Sequence, residues 1–214
     1  MKKIFLIVSL CIFSTMAFAQ SKGDNFFSAK LGFEFGVQNT KLSVDKLSTS
    51  ESKPLAATFS LGGEYGYFVC NNLKLGIGLY IPYSYTPLQK QNDEWLKSTT
   101  FGVGVNPNIS YYARINEYLY YTPELGGAFE YGNYSEDISA HDSYSDNCIG
   151  WGAYLNLLSF EVKVSNDIAL GFSMGALEYA AARIKLDKET NTKLTTSVFR
   201  CNLNKAELSF RMYF

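Results

Sequence analysis

The sequence predicts an all-β protein, an eight-stranded antiparallel up-and-down transmembrane β-barrel. Three observations carry that prediction. Apolar residues alternate with Gly, Ser and charged residues at period two, run after run. Short turns and long polar stretches take turns between the runs. Glycine falls almost wholly on the face opposite the apolar one.

Residues 1–19 read as a cleaved secretory signal peptide. Lys2 and Lys3 form a positive start, Ile4 to Phe13 is mostly apolar, and Ala17-Phe18-Ala19 is a small-x-small cleavage pattern before Gln20. The apolar run is too short for a stable transmembrane helix. Cys11 lies mid-run behind the bulky Leu10, which argues against an acylated lipoprotein cysteine. Residues 20–214 then form one barrel domain. Without Lys2 and Lys3 they carry 17 Lys and Arg (19 less two) against 20 Asp and Glu, about −3 net. That balance offers no basic field to nucleic acid.

The runs follow in order. The first sets Phe27, Ala29, Leu31, Phe33, Phe35 and Val37 against Ser28, Lys30, Gly32, Glu34 and Gly36. The second runs from Ala57 to Val69, the third from Leu73 to Tyr85, the fourth from Phe101 to Tyr111 and the fifth from Leu119 to Tyr131. The sixth begins Ile149, Trp151, Ala153, Leu155, Leu157 and changes phase to Phe160, Val162, Val164. The seventh uses Ile168, Leu170, Phe172, Met174 and Ala176. The eighth ends Ala206, Leu208, Phe210, Met212, Phe214, out of phase with its earlier Phe199, Cys201 and Leu203. Such phase changes predict β-bulges near Leu158-Ser159 and Asn204-Lys205. Cys70-Asn71-Asn72, Ala113 to Glu117 and Ser165-Asn166-Asp167 read as tight turns. Gln38 to Ala56, Thr86 to Ser98, Gly132 to Asn147 and roughly Ala182 to Thr195 read as long loops. An even strand count places both ends of the domain on the short-turn side.

A soluble barrel would turn its apolar face inward, and glycine decides against that. Thirteen of 17 Gly oppose the apolar residues, at positions 32, 36, 62, 66, 76, 78, 102, 104, 126, 150, 152, 171 and 175. A crowded eight-strand lumen needs the room they leave, here for Phe68, Tyr80, Tyr120 and Tyr154. The Gly-and-charge face is therefore read as the lumen. Aromatic groups near strand ends, among them Phe26-Phe27, Tyr111-Tyr112 and Tyr213-Phe214, read as interfacial girdles.

Glu207-Leu208-Ser209-Phe210-Arg211-Met212-Tyr213-Phe214 closes the chain with alternating apolar residues and a final ring. In this and in its eight runs the chain resembles the small outer-membrane barrel superfamily of the OmpA membrane domain, OmpX and OmpW. It is most similar to the broad group of outer-membrane-protein β-barrel domains. The resemblance implies a terminal signal for the barrel-assembly machinery, carried here by Phe210, Met212 and Phe214. Ser209 stands where the family often has Gly, and Met212 where it often has an aromatic residue. It also implies outer-membrane lipid and lipopolysaccharide as surroundings, periplasmic termini, and an extracellular partner reached through the long loops.

The candidate lumen charges are Lys30, Glu34, Glu64, Glu124, Glu130, Glu207 and Arg211. Closure should bring Lys30 and Glu34 beside Glu207 and Arg211, since unpaired charges in a confined interior are costly. An acidic stretch, Gly132 to Asn147, holds Glu136, Asp137, Asp142 and Asp146 and matches no cation loop. His141-Asp142-Ser143 has the His-x-Ser spacing of the barrel-shaped lipid A deacylases, but in a predicted loop nothing would hold base and nucleophile in register. Cys70, Cys148 and Cys201 are scattered, and a Cys148–Cys201 disulfide stays open. With one His in the chain, neither a metal nor another cofactor is expected.

The reading is a non-enzymatic barrel with a plugged lumen and a structural or surface-interaction role. The alternative is a narrow porin-like conduit for small or apolar solutes, with Pro107 and Pro123 facing each other at a weak point in the wall. The remote alternative is a lipid A-modifying enzyme.

Overall fold

The computed structural model describes residues 21–36, 56–91, 94–137, 142–185 and 193–214. The expected signal peptide, including Cys11, lies outside them, as does most of the stretch between the first two strands. The described residues form a ring of eight antiparallel strands: β1 (Asn25–Gly36), β2 (Ala56–Cys70), β3 (Leu73–Gln91) and β4 (Glu94–Tyr111, resumed at Ala113–Arg114). They continue as β5 (Leu119–Tyr121 and Glu124–Asp137), β6 (Ser143–Asn156 and Leu158–Lys163), β7 (Ile168–Lys185) and β8 (Lys193–Tyr213). Each strand pairs with its sequence neighbour, and β8 closes on β1 from Phe26↔Tyr213 to Glu34↔Lys205.

The apolar face points outward. Leu79 is 66% exposed, Phe101 58%, Phe129 60% and Leu170 51%, while the alternate positions turn into the barrel. In water such a surface would drive aggregation; in lipid it is the solvated face. Phe33, Phe59, Tyr83 and Phe101 stand in one register row across β1–β4. Phe27, packed against Tyr65 and Phe214, marks a second aromatic level six residues lower on β1, about 20 Å along a strand. Three rings read as girdle members belong elsewhere: Phe26 and Tyr112 are fully buried in the lumen, and Tyr213 packs on Phe26.

The tight turns gather at one end, called here the turn end. The Asn71-Asn72 turn uses a left-handed Asn72 (φ 70°), a conformation that Asn tolerates. At the other end, the hairpin end, strands run on where long loops were expected. β3 and β4 pair as far as Gln91↔Glu94, β5 and β6 as far as Asp137↔Ser143, and β7 and β8 as far as Lys185↔Lys193. Above the apolar belt a strand's outer face meets water in place of lipid. The strand loses the alternation that marks it in sequence but keeps its ladder hydrogen bonds.

The two expected phase changes are present. Leu157 and Leu158 are both outward-facing. On β8, Ala206 pairs with Met174 but Asn202 with Ala176, so extra residues bulge between them. β7 shifts phase at the same level, through Gly175 at φ 72°, a region costly for residues with a Cβ. Ala176, expected outside, is consequently buried and Leu177 faces out. The two wall prolines do not meet. Pro107 pairs with Ile77 and packs against Gly127, whereas the Pro123 carbonyl accepts from Tyr111 N–H (3.1 Å). Beside Pro107, which has no N–H, Asn106 Nδ2 donates to the Gly127 carbonyl at 2.7 Å, so the missing ladder bond is replaced from a side chain.

Candidate functional site

The lumen is filled in layers from the turn end. Lowest is an aromatic floor of Phe26, Phe68, Tyr112 and Tyr120, each from a different run and all buried. Phe68 and Tyr112 meet edge to face with centroids 4.9 Å apart. None of these rings could turn inward without space opposite, and a Cβ at Gly66 would lie 2.3 Å from the Phe26 ring.

Above the floor lies a layer of charge. Lys74, wholly buried, donates to Glu64 Oε1 (2.6 Å) and Glu124 Oε2 (3.1 Å). Lys30 stands 2.5 Å from Glu64, 3.2 Å from Glu207 and 4.0 Å from Glu124. Ser110, Tyr154 and Asn108 donate further hydrogen bonds to these carboxylates. Arg211 forms a short ion pair with the buried Glu161 and donates to the Tyr112 hydroxyl (2.8 Å). Tyr213 donates to Glu161 as well (2.7 Å). Three cations thus meet four carboxylates, and the donors around them replace the water they have lost. Lys74 and Arg211 both lie over the Phe26 ring, at 5.6 and 5.5 Å from its centroid, coupling the two layers.

Towards the hairpin end the lumen opens into a cavity of about 740 Å³. Tyr80 and Tyr154 stand in it because the facing wall has no side chains: a Cβ at Gly104 would sit 2.3 Å from the Tyr80 ring, and one at Gly126 2.4 Å from Tyr154. Tyr80 donates to Glu130 at 2.7 Å. A second charged group borders the cavity higher up. Glu178 accepts from Lys205 (2.7 Å) and Arg200 (3.1 Å), and Arg200 also reaches Glu34 (3.0 Å).

The residues read as lumen charges therefore divide. Lys30, Glu64, Glu124 and Glu207 come together in the lower layer. Arg211 joins it through Glu161 rather than through Glu34, which pairs higher up with Arg200. Register is the cause: closure sets Ser28 opposite Arg211 and Glu34 opposite Lys205. Glu130 stands apart, with Tyr80. Sequence reasoning missed Lys74, Glu161, Glu178, Arg200 and Lys205. Lys74 lay on the predicted lumen face and could have been found there; the others sit beside the phase changes, where the inward face was ambiguous.

Phe210 and Met212 occupy the outer face of β8, and Phe214, just past its end, is exposed and stacks its ring on Phe27 at 5.4 Å. His141 lies outside the described residues. Ser143, expected in mid-loop, begins β6 and is exposed. Asp146 is buried in β6 rather than in a solvated loop and accepts from Tyr144 (3.2 Å). Cys148 faces the lumen and Cys201 faces out, with β7 between their strands, and all three described cysteines are free.

A closed ring of eight antiparallel strands, apolar outside and charged within, defines a transmembrane β-barrel. The chain belongs to the outer membrane protein beta-barrel domain family, whose model matches residues 5–204. Among solved structures it is similar to the outer membrane protein OprG from Pseudomonas aeruginosa, at 12% identity and a TM-score of 0.52, over 92% of this chain and 98% of that one. Ail, the attachment invasion locus protein of Yersinia pestis, aligns at 13% identity and TM-score 0.41, over 90% of this chain and 99% of that one. The outer membrane protease OmpT from Escherichia coli aligns at 8% and 0.34, over 92% and 97%. No curated protein matches the sequence.

Proposed function

We propose that this outer-membrane barrel is a structural or surface-interaction protein rather than a pore. The observation that carries the reading is the charge layer over the aromatic floor. Lys74, Glu64 and Glu161 have no exposed side-chain surface there, and a hydrated path would have to separate ion pairs that bridge the lumen. The hairpins that rise beyond the apolar belt supply polar surface for an extracellular partner or for lipopolysaccharide. In this reading the turn end, with both described termini, faces the periplasm, and Phe210, Met212 and Phe214 present the signal for the barrel-assembly machinery. No catalytic role is assigned.

Conductance across planar bilayers tests the closure. The barrel should insert without a steady open state, and a persistent nanosiemens-range current would overturn the reading. The narrow conduit is the second reading, favoured by the 740 Å³ cavity. It requires the floor to open.

A further inference from the structure

We infer that the lumen cavity at the hairpin end is a binding site for a small organic cation, with Glu130 as its anionic anchor. The inference follows from an inventory of charge around the cavity. Arg200 and Lys205 are both committed to Glu178, and Arg200 also to Glu34. Lys30 is shared between Glu64 (2.5 Å) and Glu207 (3.2 Å), so it too is committed to carboxylates. Glu130 is different: its partner is the neutral Tyr80 hydroxyl, and among the described residues no Lys or Arg stands within ion-pair range of it. The pocket therefore carries a carboxylate, Glu130, with no cation beside it, while every Lys and Arg lining it is already paired, which selects a positive ligand over an anionic one.

Size and donor set choose among cations. A bare divalent ion takes six or more oxygen ligands in a tight shell. No group of three or more metal-binding side chains occurs among the described residues, and the cavity is about 740 Å³. That volume lies within the range of pockets for small organic ligands. The wall supplies what an ammonium or guanidinium carried on an organic body needs. Glu130 Oε2 lies over Gly150, where even a Cβ would stand 3.3 Å away, so the carboxylate rests against bare backbone. Thr58, Ser60 and Ser84 add hydroxyls. Tyr154 already holds the Lys205 ammonium 5.5 Å from its ring centroid, so an aromatic face in this same cavity accommodates a cation.

The site does not depend on the floor being closed, since a ligand held at Glu130 is equally consistent with a leaky barrel. The test uses the folded full-length barrel in lipid nanodiscs, titrated by calorimetry with phenethylammonium, and with magnesium chloride and sodium phosphate in parallel. Phenethylammonium should bind saturably, phosphate should not bind, and magnesium should not compete. Glu130→Gln should weaken binding by about tenfold or more, while Glu117→Gln, which removes an exposed carboxylate at the turn end outside the cavity, should bind within about threefold of the parent. Heat-modifiable gel migration reports that each variant is folded. Absence of saturable binding, competition by magnesium, or equal binding in folded Glu130→Gln would overturn the assignment.

Discussion

Lys30 and Glu124 belong to β1 and β5, strands on opposite sides of the ring, yet their charged groups are 4.0 Å apart. With Lys74 they draw Glu64 and Glu124 into one bridge across the barrel. A lumen crossed in this way is held from within, as the core of a soluble protein is, but by charge rather than by apolar contact.

Removing the central cation should be expensive. Lys74→Met would leave Glu64 and Glu124 facing each other with Lys30 alone between them. Breaking one partner out of a buried ionic group costs about 3–5 kcal/mol. Urea unfolding in lipid vesicles should register a loss of that order, and a change below about 1 kcal/mol would mean the layer is hydrated.

The glycine opposite Tyr80 should be replaceable only together with the ring. Gly104→Val should destabilise the barrel by about 1–3 kcal/mol through overpacking. Combining it with Tyr80→Ala should recover part of that loss, because the two positions share one space. Additive losses in the double variant would count against the close approach.

The outward apolar face predicts a sign that a soluble barrel would not give. Leu79→Arg, far out on the lipid side of β3, should cost about 2–4 kcal/mol near the membrane midplane. Val164→Arg, also outward-facing but beside the turn at residues 165–167, should cost less. Equal and negligible costs at both positions would indicate a wall facing water.

The terminal ring should matter more for assembly than for stability. Phe214 stacks on Phe27, a contact of about 0.5–1.5 kcal/mol. Phe214→Ala should refold in vitro nearly as well as the parent but give much less assembled barrel in cells, as scored by heat-modifiable migration of outer-membrane fractions. Full assembly in cells would remove the residue from the signal.

Cys70, Cys148 and Cys201 are free. Thiol titration of the oxidatively exported protein after unfolding should find three thiols. A count of one would mean that two of the three are joined, against the structure.

Much of this barrel is written in its sequence because each strand meets two different solvents. Lipid on one side and a crowded lumen on the other impose period two on every run from Phe27 to Phe214, and glycine reveals which side is crowded. Even the bulges at Leu157–Leu158 and before Ala206 appear as shifts of phase. Where a strand's outer face meets water in place of lipid that signal vanishes, which is why 86–91, 94–98, 132–137, 143–147 and 182–185 read as loop and fold as strand.

Which charges meet was decided only by closure. Lys74, Glu64 and Glu124 are spread over 61 sequence positions and share no local motif. The register of eight strands and the stagger of the ring bring them to one level, and the same register sends Arg211 to Glu161 and Glu34 to Arg200. The sequence by itself determined an apolar-out, charge-in barrel with both ends of its domain at the turn end. The tertiary structure alone decided that one half of the lumen is filled by paired charge while the other stays open around Glu130. Pairing across a lumen depends on where each strand is set along its neighbours, and one step of register moves every side chain to another partner.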